Sequence, residues 1–352
     1  MNRLPVSAMT AEEKPQGFLI LPHLQIQNAN AISSPMTHGF PSMTSFLGLM
    51  WALDRKLAEA GIPLVPEKVG VICHDHEELV HDDYVKTFRL TRNPVDKDGS
   101  TAAIVEEGRI HLDVTLVFQV TAGNREDTDN LLFQEDGARR REVAWLARDM
   151  IDTMRVAGGT VLPAVSMPGR RITPQLIAWP DAVEAQNRAF RELRRAWLPG
   201  FSLVSREDLL QQHLQKLRAQ DANATLLDAW LDLSRFNHQS HQDDERSTVV
   251  WKHDRSRGSG WIVPIPVGYV GLSTLYEGGQ VLNARDNRTP LRFVESVYSM
   301  GQWISPHRLR CIDDFLWKGE TQIDQGLYLC RNGYVPPIEE VSDSLATLSA
   351  NA

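Results

Sequence analysis

Arginines carry the clearest chemical signal in this sequence. Arg285, Arg288 and Arg292 recur in the run Asn283-Ala284-Arg285-Asp286-Asn287-Arg288-Thr289-Pro290-Leu291-Arg292, and Arg308 and Arg310 follow. A guanidinium fork matches two phosphate oxygens at once, so such a cluster suits a phosphate backbone. The turn formers Asp286, Asn287 and Pro290 place it on a loop, which the pattern predicts to lead into a helix with N–H donors of its own. Arg188, Arg191 and Arg195, spaced i, i+3 and i+7, line one face of another predicted helix, with Arg194 beside them and Phe190, Leu193 and Trp197 on its apolar side. That face reads equally as a nucleic-acid surface and as an ordinary solvated one. Arg139, Arg140 and Arg141 open a further helix, where cations oppose the helix dipole; surface charge is the simpler reading. Arg89, Arg92 and Lys97 lie around Asn93-Pro94, ahead of the small apolar run Thr101-Ala102-Ala103-Ile104. They form either a basic arm for a nucleic acid or the closure of a hairpin.

Other chemistries find less support. His74, Asp75, His76, Glu77, Glu78 and His81 include metal-binding residue types, but no helical His-x-x-x-His pair occurs, and the stretch reads as a solvated loop after a strand. Neither a G-x-S-x-G elbow nor a G-x-x-x-x-G-K-[ST] phosphate loop is present. Gly158-Gly159-Thr160 could cradle an anion on its backbone N–H groups, although a helix C-cap is the reading sequence favours. Cys73, Cys311 and Cys330 are scattered, which argues against a disulfide framework or a structural zinc. No catalytic residue, metal or cofactor is assigned.

The elements that must position these residues follow from hydrophobic period. A strand is expected at 18–26, then a turn-rich loop at 28–41. A helix is expected at 43–60, with Phe46, Leu49, Met50, Leu53 and Leu57 in one stripe, Ser42 as N-cap and Gly61 as stop. A strand at 69–73 follows. Residues 111–120 alternate Leu112, Val114, Leu116, Phe118 and Val120 with polar neighbours, a strand of period two. A helix at 137–157 turns Val143, Leu146, Ala147, Met150, Ile151 and Met154 inward, with Gly158 and Gly159 ending it, and a strand at 160–162 completes a β-α-β-β-α-β, ferredoxin-like order. Residues 75–109 form a protruding excursion within it. The class is therefore α+β, with a core at 18–180. A helical region at 181–236 contains helices at 182–198, 206–219 and 224–236. The second of these begins with a Ser205/Asp208 capping box. Residues 237–260 read as a surface loop. Residues 261–336 return to the core, through strand pieces broken by Pro264, Pro266 and Gly268 and a short helix at 291–300. Residues 1–17 and 337–352 read as flexible tails.

Composition narrows the partners. The chain has 352 residues, 42% hydrophobic and 23% charged, as in a globular protein large enough for a sizeable core. A net charge of −8 argues against nucleic-acid binding over the whole surface, so the positive charge must be gathered in patches. No apolar run reaches the ~20 residues a membrane helix needs. The polar start, with Glu12 and Glu13, has no secretory core, so a cytoplasmic location is expected.

Several blocks resemble one family. Residues 27–41, containing Asn28, Asn30, Ser33, Ser34, Pro35, His38 and Pro41, are similar to the N-terminal signature loop of the Csy-two (Cas-five type) family of type I-F CRISPR surveillance complexes. Residues 90–109, 198–206, 260–269, 283–294 and 305–308 are similar to its later blocks, in order and spacing, between residue 18 and about residue 317. The resemblance implies a ferredoxin-like, RNA-recognition-motif-like core of the repeat-associated mysterious protein (RAMP) type, with a thumb hairpin and an added helical region. It implies a non-catalytic subunit that grips the 5′ handle of the CRISPR RNA. The implied partners are the large Csy-one subunit, the Csy-three backbone subunits and, through the complex, target DNA. Asn28, Asn30, Ser33, Ser34 and His38 become the handle loop. Arg285, Arg288, Arg292 and Arg308 become phosphate or handle contacts, and Arg89 and Arg92 thumb residues. Gly158 and Gly159 become a glycine-rich RNA loop. Two alternatives stand beside this: a handle-specific ribonuclease using His38 or His307 as general base, and a structural adaptor that reads no RNA.

Overall fold

The alternating apolar run around Leu116 becomes the strand on which the fold is built. The computed structural model describes residues 15–336 apart from 93, 94, 96, 97, 102, 103, 128, 135, 136, 165–169, 244–247, 256–259 and 285. Of the expected tails at 1–17 and 337–352, residues 1–14 and 337–352 lie outside the described residues, while Gln16 bonds Gly123 and Ala122 and Gly17 already belongs to the first strand. In chain order, β1 (Gly17–Asn30) leads through the small hairpin β2 (Ile32–Ser34) and β3 (Thr37–His38) into α1 (Met43–Glu59). β4 (Val65–Glu78) follows, then the hairpins β5 (Val80–His81) with β6 (Thr87–Phe88) and β7 (Leu90–Arg92) with β8 (Ile104–Glu106). β9 (Arg109–Thr121) precedes α2 (Gly137–Asp152), the hairpin β10 (Arg155–Val156) with β11 (Gly159–Val161), and β12 (Gln175–Ala178). Next come α3 (Val183–Ala196), β13 (Phe201–Ser205), α4 (Glu207–Gln220), α5 (Leu226–Leu233) and the hairpin β14 (His238–Asp243) with β15 (Thr248–His253). β16 (Trp261–Gly271), β17 (Val294–Ile304), β18 (Leu316–Gln322) and β19 (Leu327–Asn332) complete the order.

β9 lies between β1 and β4, antiparallel to both. The far edge of β1 is covered by β11 and β12. Leu112, Val114, Leu116 and Phe118 of β9 share one core with Phe46 and Leu53 of α1 and Val143 and Ala147 of α2. The opposite face of the sheet, through Phe18, Ile20 and Val117, packs on Trp179, Phe190 and Trp197. Beyond β4 the sheet closes on itself. β4 pairs with β13 at Ile72 and Cys73, and the path runs β13–β17–β16–β19–β18 before returning to β4 at Val69 and Gly70. The result is a large antiparallel sheet whose second half is a ring. No helix of the described residues is long and apolar enough to cross a membrane.

α1 forms as its pattern requires: Ser42 Oγ accepts the Thr44 N–H at 3.3 Å, and Gly61 follows at φ +70°. Several expectations are corrected. The predicted helix at 291–300 is the strand β17. Val294, Val297 and Tyr298 suit a strand, and β13 and β16 supply partners on both edges. The loop expected at 237–260 contains the β14–β15 hairpin, carried by Thr248, Val249, Val250 and Trp251. β16 runs unbroken through Pro264 and Pro266 because β19 joins it only from Gly268 onward, leaving an open edge for the missing N–H groups.

α2 stops at Asp152, and Gly158 is not its cap. Ala157 (φ 49°) and Gly158 (φ 80°) form the turn between β10 and β11, the left-handed pair that a two-residue hairpin needs. Leu146 faces solvent, while Ala144 and Arg148 are buried instead. Arg148 is neutralised by Asp152 at 2.8 Å. Ser205 caps nothing: Arg206 is the N-cap of α4 and its guanidinium takes Asp208. The capping box of this region is Thr225 with Asp228, at α5. β4 extends through His74 and His76, so that stretch is strand and not loop, and the excursion starts only after Glu78.

Candidate nucleic-acid interface

The segment from Asn30 to Met43 separates two clefts. Asn28 precedes it in the left-handed region (φ 57°), at a bulge of β1, and its N–H donates to His111 Nδ1 at 3.1 Å. The loop's polar side chains hold the loop. Asn30 Nδ2 donates to the Ile32 carbonyl at 2.7 Å, and Asn30 Oδ1 accepts the Ile32 N–H at 3.1 Å. Ser33 and Ser34 both bond the Thr37 hydroxyl, at 2.8 and 2.6 Å, and Ser34 Oγ also accepts the Met36 N–H. Ser34 and Thr37 are buried. These groups shape the β2–β3 hairpin before they can contact anything else. His38 stands outside that network, 4.0 Å from Glu78 and with its ring 5.0 Å from that of Phe88.

On one side lies a polar cleft of about 440 Å³, walled by Asn30, Ser33, Thr44, Ser45, Arg155 and Gly158. It opens on the N-terminus of α1. The first backbone N–H groups of a helix point out of its end and favour an anion. Hydroxyls of Ser42, Thr44 and Tyr269 ring this end, with Tyr269 Oη 3.3 Å from Thr44 Oγ1. Arg155 brings the cation, its guanidinium bonded to Thr160. Gly159 lets the β10–β11 hairpin sit flat on β1: a Cβ there would lie 2.8 Å from the Ala29 nitrogen.

On the other side lies an aromatic cleft of about 410 Å³. Trp261, Trp303, Phe40 and Phe201 form its walls, with Trp261 and Trp303 rings 5.9 Å apart and Phe40 edge-on to Trp303 at 4.9 Å. His38, His76 and Glu78 bring polar groups to the rim. Cys73 and His74 line the floor and are inert. Burial, with Asp113 and Asp75 adding, pushes the Cys73 thiol up to about 12. Burial holds His74 below its ordinary value, and it stays neutral between the Pro199 carbonyl and Thr115 Oγ1.

The structure gathers Asn30, Ser33, His38 and Gly158 around these clefts, and not the arginines. Arg285 lies outside the described residues. Arg288 is exposed on a turn held by Asp286, and that turn leads into a strand, so no helix N-terminus adjoins it. Arg292 is a structural post. Its guanidinium passes beside Gly271 and Gly326, and its Nε is buried without a partner. Arg308 is exposed on the 3-10 turn Pro306–Arg308, beside α3. Arg89 faces Glu77 at 3.7 Å, and Arg92 lies on β7. Arg155 and Trp261 line the clefts as well. The helix expected at 137–157 covers Arg155; Trp261, after Gly260 and before two prolines, is an exposed aromatic.

Gly48 supplies one test of the polar cleft. It sits exposed in α1, with nothing within 4 Å of an added Cβ. Gly48→Ala is expected to stabilise the protein by roughly 0.5–1 kcal/mol, read as a higher Tm. A lower Tm would mean that the space above Gly48 is not free.

Known proteins match along nearly the whole chain. The family model described as CRISPR-associated protein (Cas_Csy2) matches residues 19–330. The chain is 42% identical over 323 residues to CRISPR-associated protein Csy2 of Pseudomonas aeruginosa (strain UCBPP-PA14), covering 89% of this chain and 94% of that relative.

Proposed function

The chain belongs to the Csy2 family of CRISPR-associated proteins, and from that membership we propose a non-catalytic subunit of a type I-F CRISPR complex that holds the single-stranded 5′ handle of the guide RNA. One observation carries this reading: a polar cleft at a helix N-terminus and an aromatic cleft flank one rigid loop. Single-stranded RNA presents two things to recognise, a charged backbone and splayed bases with open faces. The helix end, the hydroxyls and Arg155 suit a phosphate. Trp261, Phe201 and His38 suit a stacked base, because aromatic stacking takes any base at about 1–3 kcal/mol. Asn30, Ser33 and Ser34 act by holding the loop between the clefts.

The strand order β11–β1–β9–β4 with two helices on one face supports the ferredoxin-like core this role implies. The larger subunit, the backbone subunits and target DNA are its partners in the complex. Leu227 and Leu231, exposed one turn apart on α5, suit burial against one of the protein partners.

A second reading has one observation in its favour. His38 lies 4.0 Å from Glu78 at the rim of the aromatic cleft, a pairing that could orient an imidazole as general base toward a ribose hydroxyl.

The test uses full-length protein with labelled handle RNA and a scrambled RNA of equal length. Handle-selective binding with intact RNA is expected. Trp261→Ala should weaken it by about 1–3 kcal/mol with little loss of stability, since Trp261 is 51% exposed. Equal affinity for both RNAs would leave only an adaptor. RNA shortened by the wild type and spared by His38→Ala would establish the nuclease.

A further inference from the structure

α3 carries positive charge that neither cleft uses. Arg188, Arg191 and Arg195 are exposed along one side of it. At 1.5 Å per residue the outer two stand about 10 Å apart along the axis. Other arginines are committed elsewhere: Arg125 to Asp181 and Arg170 to Asp113, both at 2.7 Å, and Arg310 to Asp314 at 3.9 Å. Among the described residues, no carboxylate stands within ion-pair distance of Arg188, Arg191 or Arg195. Glu184 and Glu192 are the exposed acids of the helix. Both stand four residues from Arg188 and share its side, so three arginines against two glutamates leave the face at +1 in a chain of net charge −8.

The face is also rigid. Phe190 and Trp197 bury the inner side of α3, with Trp197 edge-on to Phe315 at 5.1 Å. Arg194 lies over the Phe190 ring and donates to the carbonyls of His307 and Leu309. It thereby docks the turn that bears Arg308 against the helix, so the basic surface spans two elements with fixed spacing.

The kind of nucleic acid follows from what is missing. Sites for single strands combine cations with exposed aromatic platforms, as the Trp261 cleft does. On α3 the aromatics are underneath: Phe190, Trp197 and the neighbouring Trp179 are buried. Cations on a rigid helix, without stacking partners, suit the regular phosphates of a duplex, which they position against without reading bases. We propose that the outer face of α3 is a second nucleic-acid surface, which binds the phosphate backbone of duplex DNA independently of sequence. It goes beyond the handle reading and rests on α3 with the turn docked against it, not on either cleft.

Fluorescence anisotropy of the full-length protein with a labelled DNA duplex of two helical turns, between about 50 and 200 mM salt, tests it. Each phosphate contact contributes about −0.9 to the slope of log affinity against log salt. The R188Q/R191Q/R195Q variant should therefore flatten that slope by about three and weaken duplex binding about tenfold or more, with handle-RNA affinity unchanged. E184K/E192K, which adds charge to the same helix, should strengthen duplex binding. Absence of wild-type duplex binding would overturn the proposal. So would an unchanged slope in the triple variant, equal competition by single-stranded DNA, or displacement of the duplex by polyglutamate. Loss of handle-RNA binding in the triple variant would merge this face with the guide site and overturn it as a second surface. Equal binding of handle and scrambled RNA beside intact duplex binding would sink the handle reading and support this one.

Discussion

Trp317→Ala is expected to destabilise the protein by about 3–5 kcal/mol, the usual cost of emptying a large buried aromatic site. Trp317 is fully buried, and its Nε1 donates to the Leu203 carbonyl at 3.0 Å. Its backbone pairs with Val69 of β4 on one side and Asn332 of β19 on the other. One residue thus joins β18 to both of its neighbours while its indole reaches β13 across the ring. The cavity would open where the ring meets the helical core, beside Leu203, Ile265 and Val267. Trp317→Phe keeps most of the volume and loses the hydrogen bond, so about 1 kcal/mol of the loss should come from that bond. Urea unfolding followed by circular dichroism measures both. If alanine cost no more than phenylalanine, the indole would not be packing the ring closed.

Long-range closure is also what the sequence conceals. The period-two run at β9 and the apolar stripe of α1 each declare their own face, because Leu116 or Phe46 needs only its local neighbours to define a side. β17 declares nothing similar. With β13 and β16 on its edges, its faces are covered too: Met300 is buried with Leu210 of α4 and Trp230 of α5, and Gly301 sits against Leu203 and Ile265, which erases the alternation. Short-range polar chemistry misled in the opposite way. Ser205 and Asp208 have the spacing of a capping box, yet Arg206 between them captures the carboxylate and takes the cap position. A run rich in His, Gln and Asp at 238–243 looks like loop, but its partner Thr248-Val249-Val250-Trp251-Lys252-His253 has the β-branched content of a strand.

The candidate site was legible as a location and less so as a set of contacts. Asn30, Ser33 and Ser34 are where an RNA loop would be sought, and they do lie between two clefts. Their donors and acceptors are nonetheless taken by Ile32, Met36 and Thr37. A short polar side chain near a turn satisfies its own backbone first. Arg292 is likewise engaged within the fold: two glycines, Gly271 and Gly326, leave a slot that its stem fills. What a linear reading cannot supply is the approach of Arg155 and Tyr269 to the end of α1, three segments far apart in sequence.

Asp113→Ala should cost about 3 kcal/mol, the low end of what removing one partner of a buried ion pair costs. Asp113 is 3% exposed on the side of β9 opposite α1 and α2 and accepts from His23 Nδ1 at 2.9 Å and Arg170 Nη1 at 2.7 Å. Arg170 is 37% exposed and can turn toward water, which keeps the cost from the upper end. His23 cannot turn away as freely. It holds a left-handed conformation (φ 49°) at a bulge of β1, its N–H donates to Thr115 Oγ1 at 3.3 Å, and its ring stacks on His74 at 4.1 Å. β4 has a register shift between Cys73 and Asp75, so irregularities flank β9 on both sides at this point. Burial alone would raise the Asp113 carboxyl, but the hydrogen bond and charge of His23 hold it below the usual carboxylate range. A depressed carboxyl gives stability that is present above its unfolded value of about 3.9 and lost as pH falls through the folded value. His74 acts over a higher window. Held below its ordinary 6.5 by burial, it stays unprotonated in the fold while the unfolded chain takes up a proton, so stability declines as pH falls from 6.5 toward its folded value. Urea midpoints measured from pH 7 to pH 3 separate the two. Asp113→Asn should flatten the limb below about pH 4, and His74→Gln the limb below 6.5. If both variants kept the wild-type profile, the His23–Asp113–His74 cluster would not be what sets the acid limit of this fold.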